Sequence, residues 1–466
     1  MVCNLVSAGV GIAGVMLLSR LLPPAEYGVY AVTLSSATLA QMGLFLWLQT
    51  SVLRFAPAAP GADGLARLRA AVGRGYLAAA AAALFAGVAL VLAGAPRARG
   101  AAAAGVLLLL TRGWVGIVQN WNRATGRAWR FAAIEAVNGV GMLSLAVAGL
   151  AARPGDALVP LLAVSAAALA SLAVAPRVPG ATPLAAPPAA PGVGVGALWA
   201  YGMPLSLSAV ALYVLAASDR LVVAALLGPA AAGAYAVGSV IADRSIGVVL
   251  TAVAAATKPM VFAAYERSGP EGARALLERV AGWMMALGFP AATLLVCAPG
   301  VVAGVLAGPA LAPVAARVLP WVGAGALLAA LLGLHFALAF QITRRTGDMV
   351  RAVAPAAALN LGANLVLLPR YGVIAAAWTT LGGYAVALAT AVWLGRRHFA
   401  VPFPARHAAR AAAACVPMAL FVARVPPAAA GGAAGVLAGA AALYACAALA
   451  LDAGGVRAAV RGALTR

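Results

Sequence analysis

Charge is what this sequence has least of. Of 466 residues only 9% are charged and 64% are hydrophobic, whereas soluble domains carry roughly 25% charged residues. So little charge excludes a water-facing surface wrapped around a conventional core, and with it a soluble catalytic domain. Acidic residues are the scarcest, 11 Asp+Glu against 32 Lys+Arg. The basic excess could signal nucleic acid, but the arginines are scattered singly between apolar runs, without a contiguous patch or stacking aromatics. The four cysteines, Cys3, Cys297, Cys415 and Cys446, lie far apart with no C-x-x-C pair, which argues against a disulfide framework or a zinc site. Three histidines, His335, His398 and His407, indicate no metal centre, two of them falling in one basic loop. The sequence has no Walker loop, H-E-x-x-H, G-x-S-x-G or paired-carboxylate arrangement. The expectation is therefore a chain that is not an enzyme and that needs neither cofactor nor metal.

What the sequence has in abundance is apolar length. Runs of about 17–25 residues recur along the chain, each long enough to cross a hydrocarbon core of roughly 30 Å as a helix. They predict an all-α polytopic membrane protein with spans near 2–19, 28–50, 72–94, 101–120, 131–150, 157–175, 198–217, 230–254, 280–301, 317–340, 352–369, 372–394, 408–424 and 431–451, fourteen in all. Proline and glycine punctuate the joints, as at Pro23-Pro24, Gly228-Pro229 and Pro299 to Pro309. The first run starts at Met1 with no basic leader or clear cleavage site, so it reads as a retained span whose start is a few residues short.

The arginine distribution tests the count, because an invented or missed helix would scramble every later loop. With the N-terminus inside, 22 basic residues fall on the inner side. The outer side receives eight, Arg20, Arg97, Arg99, Arg153, Arg220, Arg317, Arg370 and Arg424, and Arg112 and Arg244 lie within spans. This places both termini in the cytoplasm.

The chain also repeats itself. Leu22-Pro-Pro-Ala-Glu-Tyr-Gly28-Val-Tyr30-Ala-Val32 aligns with Leu227-Gly-Pro-Ala-Ala-Ala-Gly233-Ala-Tyr235-Ala-Val237, sharing seven of eleven residues at an offset of 205. Arg123-Ala-Thr-Gly126-Arg-Ala-Trp-Arg130 aligns with Arg344-Arg-Thr-Gly347-Asp-Met-Val-Arg351 at an offset of 221, both copies reading R-x-T-G-x-x-x-R. The first motif joins spans 1–2 and 7–8, the second spans 4–5 and 10–11. Six helices are thus repeated in the same order, and an even number of crossings makes the repeats parallel. The expected organisation is an N-lobe over 1–176, a Pro/Gly-rich cytoplasmic linker over 177–197, a C-lobe over 198–395, and a terminal hairpin with a cytoplasmic tail over 396–466.

The segment Leu17-Leu-Ser-Arg20-Leu-Leu-Pro-Pro-Ala-Glu-Tyr27-Gly28-Val-Tyr30 resembles the opening signature of polysaccharide-biosynthesis flippases of the O-antigen type, in the multidrug/oligosaccharidyl-lipid/polysaccharide exporter superfamily. Asp219-Arg220 running into Leu227-Gly-Pro is similar to a second stretch of that family. So is Pro369-Arg-Tyr-Gly372-Val-Ile-Ala-Ala-Ala377, with Ala375 in place of a usual glycine. The resemblance spans about residues 1–395. It implies a V-shaped pair of six-helix lobes around a central cavity that alternates between membrane faces and flips a polyprenyl-pyrophosphate-linked oligosaccharide for O-antigen, capsule or exopolysaccharide assembly in the inner membrane. Polysaccharide polymerase and glycosyltransferases are the partners it implies, with the pump itself a monomer in contact with membrane lipids and no nucleic acid.

Ionisable groups at membrane depth are the candidate sites, because a charge facing lipid costs at least about 2.5–3.5 kcal/mol. Arg112 and Arg244 sit mid-span. Arg54 and Lys258 stand at the inner ends of spans 2 and 8, at nearly equivalent repeat positions, and Arg20 and Arg220 at outer ends. A pyrophosphate suits arginine, whose forked donors bind it bidentately. Snorkelling to headgroups explains Arg54, Lys258, Arg20 and Arg220 equally well. Asp243, Asp219 and Glu135 are candidates for ion coupling, or for cancelling a neighbouring arginine. Asn138, Asn360, Asn364, Gln41 and His335 read first as interhelical ties. Two other readings stand: a cation-coupled multidrug antiporter of the same fold, and a membrane-embedded polymerase or ligase, which the short outer loops disfavour.

Overall fold

The computed structural model describes residues 2–57, 59, 61–174, 194–343, 345–403, 405–425 and 432–457. Every regular element among them is helical. The first seven helices are α1 (Val2–Leu21), α2 (Pro24–Leu44), α3 (Leu46–Phe55), α4 (Gly61–Ala93), α5 (Pro96–Ala124), α6 (Ala128–Ala152) and α7 (Leu158–Val174). After the expected linker, of which residues 175–193 lie outside the described chain, come α8 (Val195–Leu227), α9 (Pro229–Ala242), α10 (Val248–Cys297), α11 (Pro299–Leu306), α12 (Ala312–Leu331) and α13 (Leu338–Ile342). The chain closes with α14 (Thr346–Tyr371), α15 (Val373–Arg396), α16 (Ala405–Arg424) and α17 (Ala433–Leu451).

Proline starts several of these helices. Pro24, Pro96, Pro229 and Pro299 all stand in the first turn, where the missing N–H costs nothing and the fixed φ suits the helix. Large apolar side chains stay outside the packing: on α4, Phe85 is 81% and Leu92 73% exposed. Such a surface belongs in hydrocarbon, where the intrahelical ladder also satisfies every backbone polar group. Among the described residues nine helices are long and apolar enough to cross a membrane, ten when α2 and α3, bent by 48° at Phe45, count as one. The expected span at 408–424 lies in α16, which is not among them and carries Arg406 and Arg410. Spans 8 and 9 lie in one helical stretch of 69 residues, Pro229–Cys297, about 100 Å of helix, broken at Gly269 where φ is 67°.

Among the described residues two five-residue π-turns interrupt the ladder, Asp243–Gly247 between α9 and α10, and Leu332–Phe336 between α12 and α13. Each shifts the helix phase by inserting one residue per turn.

The described chain packs as two compact units, and they are not the duplicated halves. One comprises residues 21–224, the other residues 1–20 with 225–466. In the first, α6 packs on α7, and α5 on α7, α4, α2 and α3. Its core gathers Trp47, Leu48, Val52, Leu68, Ile117, Trp121 and Leu198. Helix α8 belongs there through Ser51 Oγ, which donates to Leu198 O at 2.9 Å, and Tyr213 Oη, which donates to Ser35 O at 3.3 Å. In the second unit α12 packs on α15 and α9, α14 on α15, and α16 on α17 and α10. Helix α1 is tied in at its end, where Ser19 Oγ accepts the Gly308 N–H at 2.8 Å. Only glycine fits at 308, because a Cβ there would overlap the Ser19 carbonyl oxygen.

The duplication is visible in the turns, with one change of register. Pro24 and Pro229 both open their helices at the predicted offset of 205. At the second motif Thr125 Oγ1 bonds Trp121 O, and the Arg127 N–H reaches Asn122 O at 2.8 Å. The same pair of bonds recurs from Thr343 to Ala339 O and from Arg345 to Phe340 O. Thr125 therefore corresponds to Thr343 and Arg127 to Arg345, not to Thr346 and Asp348. The true offset is 218 rather than 221, and the shared R-x-T-G-x-x-x-R string aligns residues that occupy different places in the turn.

Candidate functional site

The predicted residues divide between the units. The unit of residues 21–224 holds Arg54, Arg112, Glu135, Asp219 and Arg220; the other holds Arg20, Asp243, Arg244 and Lys258.

In the first, Arg112 lies mid-way along α5, half-buried, between the buried Thr111 and Gly113. Its electrostatic neighbours are Tyr30 of α2, Tyr213 of α8 and Glu135 of α6, so three helices place ionisable groups near one guanidinium. Glu135 also accepts from Gln119 Nε2 at 3.1 Å. Asp219 is 1% exposed on α8, and the adjacent Arg220 is half-buried with Tyr27 as a charge neighbour. Arg54, in the last turn of α3, is exposed.

In the second unit Arg20 closes α1. Its Nη1 donates to Met16 O and its Nη2 to Val305 O, both at 2.7 Å, so one guanidinium caps α1 and reaches the last turn of α11. Cations suit helix C-termini, where free carbonyls carry partial negative charge. Asp243 and Arg244 open the first π-turn and are both exposed. The Arg244 guanidinium lies flat against α1 at Gly11, where a Cβ would come within 3.0 Å of its Cζ and Nε. Ile12, Val15, Val240, Ile241 and Leu306 line the small apolar pocket around its stem. Lys258, on α10, is exposed, its Nζ 5.8 Å from the Phe262 ring.

Sequence reasoning missed the π-turns and underrated a polar ladder on α14 and α15. Thr379 Oγ1 donates to Asn364 Oδ1 at 2.7 Å, and Asn364 Nδ2 to Asn360 Oδ1 at 3.3 Å, all three residues buried. Nearby, Tyr235 Oη and Thr380 Oγ1 lie 3.0 Å apart, which gives the repeated tyrosine a packing role on α15. His335 is fully buried in the second π-turn, with Nε2 donating to Pro402 O at 3.0 Å; it ties this turn to the non-helical segment before α16 rather than to a neighbouring helix. The i, i+4 spacing of Asn360 and Asn364 was the available signal for the ladder.

Among the described residues no group of three His, Cys, Asp or Glu is placed to hold a metal ion. What the arrangement offers chemically is guanidinium groups on both units, with forked donors suited to phosphate oxygens.

The helices adopt a fold shared with solved transporters of the multidrug/oligosaccharidyl-lipid/polysaccharide superfamily, and the chain is a multi-pass membrane protein. A solved structure of the lipid II flippase MurJ, inward closed, is similar with a TM-score of 0.77 at 8% identity, over 98% of this chain and 99% of that one. An inward-facing multidrug resistance transporter of the MATE family is similar with a TM-score of 0.64 at 14% identity, over 85% and 93%. A transporter of the same superfamily from Pyrococcus furiosus Vc1, noted for the reverse polarity of its binding pocket, gives 0.53 at 14% identity, over 85% and 91%. A family model described as polysaccharide biosynthesis protein matches residues 185–314. No curated protein matches the chain by sequence.

Proposed function

We propose that this protein is a flippase that moves a polyprenyl-(pyro)phosphate-linked oligosaccharide across the cytoplasmic membrane for O-antigen, capsule or exopolysaccharide assembly. The observation that carries the reading is Arg112, a half-buried mid-span guanidinium with Tyr30, Tyr213 and Glu135 as its electrostatic neighbours. A cation held there at the expense of hydration suits an anionic headgroup and repels a cationic drug. Arg244, on the π-turn of the other unit, adds a second forked donor, with Arg54, Lys258, Arg20 and Arg220 as further cations along the path. The similarity to a lipid II flippase and the match to a polysaccharide-biosynthesis family support the same substrate class. In this reading two lobes alternate access while the prenyl tail stays in lipid, and both termini face the cytoplasm. Asp219, Asp243 and Glu135 are the candidates for coupling to an ion gradient, and the glycan polymerase and glycosyltransferases are its functional neighbours.

Arg112→Ala or Arg244→Ala is expected to abolish surface polysaccharide at unchanged protein level, with Arg112→Lys restoring part of it because charge without the fork remains. Normal polysaccharide in both alanine variants would overturn the reading. The alternative, a cation-coupled multidrug antiporter, rests on the similarity to a multidrug transporter. A deletion strain that becomes drug-sensitive while keeping its glycan would favour it.

A further inference from the structure

The terminal hairpin α16–α17 carries no part of the transport reading, yet it helps build a cleft outside the candidate site. The cleft encloses about 590 Å³ and is lined by Ala275, Glu278, Arg279 and Trp283 of α10, His407 in the first turn of α16, and Gly454 and Gly455 behind α17. That volume lies within the range of roughly 300–1,000 Å³ typical of small-ligand sites.

We propose that this cleft binds the headgroup of a zwitterionic phospholipid bearing a primary ammonium, of the phosphatidylethanolamine class, drawn from the leaflet on this side of the membrane.

Three observations lead there. The first is depth. Helix α17 is an apolar span ending at Leu451, and Gly454 and Gly455 follow within one turn, so the cleft opens where hydrocarbon gives way to headgroups. One turn beyond Trp283 on α10, Leu287 is 45% exposed, providing an apolar track for an acyl chain, and Trp283 itself has the interfacial preference of an indole.

The second is the charge pattern. Glu278 and Arg279 are both exposed to the cleft's surroundings and neither forms an ion pair or side-chain hydrogen bond among the described residues. Nδ1 of His407 is buried without a hydrogen-bond partner. A cation, a carboxylate, an imidazole nitrogen and an indole share one wall. A purely anionic headgroup would be repelled by Glu278; a quaternary ammonium has no N–H to donate to its carboxylate. A phosphate on Arg279 with a primary ammonium on Glu278 satisfies both through charge-assisted bonds, and the Trp283 face adds a cation–π contact.

The third is that the cleft is held rigid. A Cβ on Gly282 would stand 3.2 Å from Cγ of His407, and one on Gly454, whose φ is 67°, would come 2.6 Å from Gly282 O. Asp452 fixes this return by accepting the Arg457 N–H at 3.0 Å and lying 3.9 Å from Arg410 Nη1. The Arg457 guanidinium caps α17 at Leu449 O, 2.7 Å away, and at Ala450 O. Basic pockets between spans on the cytoplasmic side are known headgroup binders; the carboxylate here makes this one selective for a headgroup of both signs.

The test is native mass spectrometry of the full chain in detergent, titrated separately with phosphatidylethanolamine, phosphatidylglycerol and phosphatidylcholine of matched acyl chains. The expected result is tighter retention of phosphatidylethanolamine than of the other two, weakened about tenfold in Glu278→Gln and in Arg279→Gln. Both positions are exposed, so the variants keep the lipid-free melting temperature of the wild type. Preference for phosphatidylglycerol in the wild type would point to a plain anion site and overturn the proposal. Unchanged retention in both variants would do the same.

Discussion

Arg20 shows how a residue chosen for charge can be doing mechanical work. Its two terminal nitrogens are both committed to carbonyls, one at the end of α1 and one at the end of α11, and the neighbouring Ser19 holds the Gly308 N–H. Hydrogen bonds to a charged group contribute roughly 1.5–3 kcal/mol each. Arg20→Ala is expected to lower the melting temperature of the purified protein measurably, while Arg20→Lys, able to reach only one carbonyl, falls between. If Arg20→Ala instead removed polysaccharide export at an unchanged melting temperature, a direct substrate role would be the better account. Arg244 contrasts with it: its guanidinium rests on the bare backbone face of Gly11 and makes no side-chain hydrogen bond among the described residues.

At the scale of the element, the first π-turn decides where Asp243 and Arg244 point. A π-turn holds one residue more than the α-turn it replaces, so deleting Ser245 is expected to restore an α-helix and swing the charged pair around the axis by roughly 100°. Export should be lost while the protein still reaches the membrane, measured as surface glycan against membrane-fraction protein. Retained export would mean that the bulge is dispensable. No local pattern announces such a turn, because it is stabilised by the packing on either side; the sequence revealed only that two charges sat in an apolar run. Apolar length and helix-opening prolines were legible, since both act locally, and they located most helices. The continuation of helix past the bilayer, as in Pro229–Cys297, was not, because polar residues such as Glu266 and Arg274 read as a loop whether or not they are helical. The second repeat motif misled for a related reason: identity of letters favoured an offset of 221, whereas the hydrogen-bonded turn obeys 218.

Across the whole molecule, the duplication seen in sequence and the compact units seen in space are different partitions. The first helix of each repeat is grouped with residues of the other half, α1 with 225–466 and most of α8 with 21–224. Cutting the chain in the 175–193 segment therefore leaves neither piece with a whole unit. Residues 1–185 and 186–466, expressed separately, are expected to be degraded, and to accumulate and restore export only when produced together. Stable accumulation of either piece alone, scored by immunoblot, would count against the grouping.

The pairing of Ser19 with Gly308 also sets a timetable for biogenesis. The partners are 289 positions apart, and at about 5–20 residues per second of synthesis α1 would wait roughly 15–60 s in the bilayer before its anchor emerges. For that interval α1 is an orphan, guarded by lipid or an insertion chaperone, and quality control has its best opportunity to intervene.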